Sequence, residues 1–140
     1  MDTIFIKTHQ PGTHYAKPHF FVLSKGLNSG KPSNEPFTNS FVLVFQTEAQ
    51  KEDIFWITMS LWKSKFWHQF LRGSVIPFIT LYDFKKKFNP KVTLLMREHE
   101  LHKKNVQALK LLQEQENHFN KNIYLIKELK TAIMMRYRMK

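Results

Sequence analysis

The stretch Ser24-Lys25-Gly26-Leu27-Asn28-Ser29-Gly30-Lys31-Pro32 gathers two of the chain's four glycines beside cationic, amide and hydroxyl side chains. Gly26 and Gly30 admit backbone conformations that are costly for other residues, and peptide N–H groups left free in such a turn attract anions. Lys25 and Lys31 would add positive charge there, and Asn28 a more selective polar contact. The spacing is not that of a nucleotide-hydrolysing phosphate loop. Three residues separate the glycines where Gly-x-x-x-x-Gly-Lys-Ser/Thr needs four, and Pro32 stands where a hydroxyl would hold magnesium. An ordinary connector explains the same composition, because Gly, Asn, Ser and Pro are common between strands.

Two further segments carry cations among aromatic rings. Ser64–Arg72 places Lys65 and Arg72 around Phe66, Trp67 and Phe70, and Lys85-Lys86-Lys87 lies between Phe84 and Phe88. Such residues can stack on unpaired bases while neutralising phosphate, and Trp67 is the candidate stacking ring. Core packing explains Trp62, Phe66 and Phe70 better, since large aromatics dominate the interiors of small domains, and a lysine run is equally consistent with a solvated face. The candidate nucleic-acid-binding set is therefore Lys25, Asn28, Lys31, Lys65, Trp67, Arg72, Lys85, Lys86 and Lys87. Lys25–Lys31 and Lys85–Lys87 both follow β-like runs, so loops on one side of a sheet are expected to join them into one positive surface.

Catalytic chemistry finds little footing. His9, His14 and His19 have no spacing that forces them together, and cysteine is absent, so no metal site is expected. His99 and His102 are three residues apart where a His-Glu-x-x-His zinc helix needs four. His68, His19 and Asp83 lack a recognisable nucleophile partner, which leaves a small hydrolase without support. No catalytic residue and no cofactor is assigned.

The elements that position these residues change character along the chain. Ile4–Ile6, Phe20–Leu23 and Phe41–Phe45 read as short strands, the last two joined by a wide loop. Thr47-Glu48-Ala49-Gln50 matches a capping box that opens a helix. Beyond it Ile54, Ile57 and Leu61 suit a helical face, while Ile57, Met59 and Leu61 equally suit a strand. Gly73–Asp83 reads as a turn entering a β segment, with Pro77 placing it at an edge. From Pro90 the pattern is helical, with an apolar stripe through Leu94, Leu101, Leu109, Leu112, Phe119, Ile123, Ile126 and Ile133. Asn117–Asn122 is polar and admits a bend, so one long helix and a helical hairpin both fit. The expected fold class is α+β: a small mixed or antiparallel sheet with a packed helix and a helical C-terminal region. Residues 1–89 would form the mixed core, and residues 90–140 a helical extension or hairpin packed on the same domain.

The 140 residues carry a formal charge of +11, with 42% apolar and 14% aromatic residues, so a folded core is expected. Residues 1–70 hold seven basic and five acidic side chains, and residues 71–140 fifteen and six. The excess in the second half would draw phosphates or an acidic partner. Lysine predominates, which favours diffuse attraction over bidentate base reading. The basic end, Met134–Lys140, suits phosphate or simple fraying. No signal-peptide pattern and no membrane-length apolar run is present, so a cytoplasmic protein without a membrane role is expected.

Lys17–Pro32 together with Leu71–Ile79 resembles a family of small uncharacterised proteins of Bacteroides-like bacteria, a likeness that extends over most of residues 1–90 and implies no activity. Gly73-Ser74-Val75-Ile76-Pro77-Phe78-Ile79 followed by Asp83 also resembles a strand motif of target-recognition domains in DNA restriction-modification proteins. That likeness implies a recognition module whose strand supports contact loops, without modification chemistry. The function expected is a noncatalytic nucleic-acid-binding accessory protein acting on DNA or RNA. The alternative is a protein-interaction or scaffold module that uses the C-terminal helices to hold an acidic protein or a second copy.

Overall fold

Alternation of apolar side chains sorts the N-terminal strands into two faces. In the computed structural model, which describes residues 4–139, β1 (Phe5–Thr8), β2 (His19–Leu23), β3 (Pro32–Ser33) and β4 (Ser40–Val44) form an antiparallel sheet in the order β1-β4-β2-β3. The register pairs Phe20 with Leu43, Val22 with Phe41 and Ile6 with Leu43, which puts five large side chains on one face. All five are buried in the main core. Phe21 and Val42 pair on the opposite face and are also buried, beside the rings of His9, Tyr15 and His19. Both faces of the central strands are covered, so β2 and β4 read as continuous apolar runs.

Half of the capping box at Thr47 forms. Thr47 Oγ1 accepts from Gln50 N at 3.1 Å, while Gln50 Oε1 accepts from Gln46 N at 3.3 Å, one residue before the expected partner. The helix that follows, α1 (Glu48–Lys63), buries Ile54, Ile57, Thr58 and Leu61. Thr58 sits in the core because its hydroxyl donates to Ile54 O at 2.8 Å. The helical period therefore prevails over the competing alternation of Ile57, Met59 and Leu61. A 3-10 turn at Phe66–Phe70 then swings Trp67 inward.

The β segment expected over Gly73–Asp83 is nearly absent. Only Phe78 pairs there, in isolated bridges with Arg72 and Lys25, because Pro77 has no N–H to extend a ladder and Val75 and Ile76 lie exposed in the turn. Thr80 instead caps a second helix, α2 (Leu81–Met96), accepting from Asp83 N at 3.1 Å. Phe84, Phe88 and Val92 face the core at helical spacing. Two expectations change as a result. Helix begins well before Pro90, which lies inside α2, and Lys85–Lys87 belongs to a helix rather than to a loop beyond a strand.

A short turn at Arg97 and Glu98 separates α2 from α3 (His99–Arg138). α3 runs 40 residues without the bend allowed at Asn117–Asn122, a length of about 60 Å at helical rise. The chain divides into two compact units, Met1–His102 and Lys103–Lys140. The expected boundary between residues 89 and 90 falls within α2. The fold is α+β, with the sheet, α1 and α2 in the first unit and most of α3 forming the second.

Candidate nucleic-acid interface

The glycine-rich connector is shaped by packing. Gly26 and Gly30 take φ of 97° and 98°, the left-handed region that glycine enters without strain. Its peptide donors are largely engaged: Gly26 N donates to Pro77 O, Ser29 N to Gly26 O, Gly30 N to Leu23 O and Lys31 N to Asn28 O. The expectation of free N–H groups for an anion is corrected at these four positions. Lys25 and Asn28 are exposed, and Lys31 is half-buried with Nζ 5.2 Å from the Trp62 ring centre.

α2 and the 3-10 turn build a different site. Phe66 and Phe70 stand half-buried, 5.4 Å apart and edge to face, and form an aromatic wall. Successive turns of α2 bring lysines over it: Lys87 Nζ lies 4.9 Å from the Phe70 centre and Lys91 Nζ 5.1 Å from that of Phe66. With Lys86, Pro90 and Leu94 these residues line an open cleft of about 360 Å³. Pro90, inside α2, has no N–H to donate to the carbonyl of Lys86 one turn earlier. The result is an apolar aromatic surface with the ammonium groups of Lys87 and Lys91 over its rings, Lys86 in its lining with Nζ 5.6 Å from the Tyr82 ring centre, and no carboxylate among the described lining residues.

Other expected contacts are placed elsewhere. Trp67 is 1% exposed, stacked on Phe84 at 4.8 Å, so its indole belongs to the core and cannot meet a base. Arg72 is exposed, but its Nε donates to Asp83 Oδ2 at 2.9 Å, and this bond holds the Asp83 carboxyl below its ordinary pKa. Its charge is thereby partly neutralised. Lys65 is exposed at a left-handed φ of 60°, and Lys85 is exposed on α2. Neither lines the cleft, nor do Lys25, Asn28 and Lys31. Of the expected set, Lys86 and Lys87 come together with Phe66, Phe70 and Lys91. Lys91 escapes a sequence reading that starts the helix at Pro90, although its four-residue spacing from Lys87 is the signal that would place both on one face.

A profile described as a family of unknown function, DUF6943, matches residues 6–136. The chain belongs to DUF6943. No curated protein and no solved structure matches it. The match takes in the sheet, the cleft and nearly all of α3, so both compact units are part of the DUF6943 sequence pattern.

Titratable groups outside the cleft serve packing. His9 is buried, with Nδ1 3.0 Å from the Tyr15 hydroxyl, and its pKa is lowered by burial first and then by the charges of His19 and Lys7. Burial raises the Tyr15 phenol. A second cavity of about 400 Å³ is lined in part by Tyr15, Lys17, His19, Glu48 and Lys51. Its lysines are engaged, Lys17 Nζ with Gln46 Oε1 at 3.3 Å and Lys51 Nζ with Glu48 at 3.9 Å. Among the described residues no three His, Asp or Glu side chains converge to hold a metal ion, and no helix is long and apolar enough to cross a membrane.

Proposed function

We propose that this DUF6943 protein is a noncatalytic nucleic-acid-binding accessory protein that receives single-stranded DNA or RNA in the cleft between the Phe66–Phe70 turn and α2. The observation that carries the reading is the placement of Lys87 and Lys91 over Phe70 and Phe66, with Lys86 beside them. An exposed cation–π contact is worth about 0.5–1 kcal/mol, whereas a base stacked on an aromatic ring contributes about 1–3 kcal/mol. A base can therefore displace an ammonium group from a ring while the ammonium moves to phosphate. Lysine rather than arginine at the rim favours backbone attraction over base selection. The cytoplasm of a Bacteroides-like bacterium is the setting this reading adopts. The likeness of Gly73–Ile79 to target-recognition domains lends it little, since that segment has no continuous strand.

The test is fluorescence anisotropy of a labelled single-stranded oligonucleotide over a salt series. K86Q/K87Q/K91Q keeps the first two methylenes of each lysine stem, removes the charge and should preserve the folding transition. It should weaken binding and flatten the plot of log affinity against log salt by about 2, three charges at roughly 0.7 each. Absence of saturable binding at low salt would remove the reading.

A second reading, a protein-interaction or scaffold module, is favoured by the apolar residues exposed along α3. Leu112, Phe119, Ile126 and Ile133 are 53–65% exposed, and such a stripe marks a surface for another helix. It uses none of the cleft residues, so each reading stands or falls on its own measurement.

A further inference from the structure

We propose that the occupant of α3 is an acidic amphipathic helix of another protein, paired along the stripe through Leu112, Phe119, Ile126 and Ile133; this rests on the interaction reading and is independent of the cleft. The four residues stand seven apart, the repeat that keeps one seam facing a partner as two helices supercoil. Ile123 and Leu129 widen the seam, and both are exposed. An exposed apolar stripe of this length is costly in water, and a second helix is the element whose period matches it.

Charge decides between a second copy and a different chain. From residue 103 to 140 there are nine basic and three acidic side chains, a net of +6. They are unevenly placed: Lys103, Lys104 and Lys110 lie toward one end, and Lys130, Arg136, Arg138 and Lys140 toward the other, with the three glutamates, Lys121 and Lys127 between them. Ile123 and Tyr137, four residues after Phe119 and Ile133, mark the second seam position of the heptad, which Glu116 and Lys130 also occupy. A parallel pair of copies would set Glu116 against Glu116 and Lys130 against Lys130, and an antiparallel pair would set one basic end against the other. Like charges brought together in this way oppose association, whereas glutamates flanking the seam of a different helix would pair with both ends.

The experiment uses the full chain and two designed helical peptides of about four heptads, each with leucine in the seam and either glutamate or lysine flanking it. Sedimentation equilibrium over concentration reports self-association, and anisotropy of the labelled peptides reports pairing. The expected result is a monomer that binds the glutamate peptide saturably and not the lysine peptide. That binding should weaken with salt and fall by about tenfold or more in F119D/I126D. Circular dichroism should show that this variant keeps its helix. Self-association abolished by F119D/I126D would overturn the acidic occupant while leaving the interaction reading in place. Equal binding of both peptides would also overturn it. A monomer that binds neither peptide would remove both the occupant and the interaction reading.

Discussion

Gly30 lies against the indole of Trp67 so closely that a Cβ added there would sit 2.7 Å from Nε1 and 2.8 Å from Cγ. The loop between β2 and β3 is thereby a cover for the aromatic stack of Trp67, Phe84 and Phe88. Gly30→Ala meets both a left-handed φ and an occupied volume, and should destabilise by about 2–5 kcal/mol. The measurement is the urea midpoint; a variant as stable as the parent would contradict this packing.

Trp67 Nε1 is buried and has no hydrogen-bond partner among the described residues. Leaving such a donor unpaired costs about 1–3 kcal/mol, which offsets part of what the indole contributes by packing. Trp67→Phe should therefore cost clearly less than Trp67→Ala, for which about 3–5 kcal/mol is expected. Denaturant titration of both variants decides the ordering. Equal losses would contradict the packing of an aromatic ring against Phe84 at this position.

The Arg72–Asp83 pair links acid stability to binding. The Asp83 pKa is lowered chiefly by the hydrogen bond from Arg72, so the folded carboxylate resists protonation. Its contribution is present above the unfolded pKa of about 4 and is lost as pH falls through the lower folded value. Asp83→Asn should lower the thermal midpoint at neutral pH, with the difference from the parent shrinking in acid. Freeing Arg72 should also strengthen the long-range attraction of an oligonucleotide, read as faster association at low salt, without adding a contact in the cleft. Weaker binding in a folded Asp83→Asn protein would count against a phosphate-attracting surface here.

His9 should titrate below its ordinary value in an NMR pH series. Its folded pKa is depressed, so stability is fully present above the unfolded pKa of about 6.5. It declines as pH falls below that value, and the decline ends once the folded group is protonated too. A His9 signal titrating at or above about 6.5 would show that burial does not disfavour its charge.

Much of the fold was legible where one period dominates. Phe20–Leu23 and Phe41–Phe45 announce central strands, and Thr47–Gln50 announces α1, because caps and apolar runs are local signals. The start of α2 is masked in the sequence because Pro77 and Val75–Ile79 mimic an edge strand, and Pro90 resembles a helix start. The decisive signal, Thr80 capping through Asp83 with Phe84, Phe88 and Val92 turned inward, became clear only from the core they enter. The cleft was half-visible: Lys86 and Lys87 were identified beside aromatic residues, yet their pairing with Phe66 and Phe70 is tertiary. Trp67 shows the converse. Its composition suits base stacking, but Gly30 and Phe84 enclose it.

Photocrosslinking with a single-stranded oligonucleotide carrying iodouracil, followed by mass spectrometry, tests the proposed interface most directly. The account predicts adducts on Phe66 or Phe70, suppressed by raised salt and by K86Q/K87Q/K91Q. Adducts confined to residues 25–31 or to the segment around Arg136 and Arg138, with the cleft peptides unmodified, would contradict it.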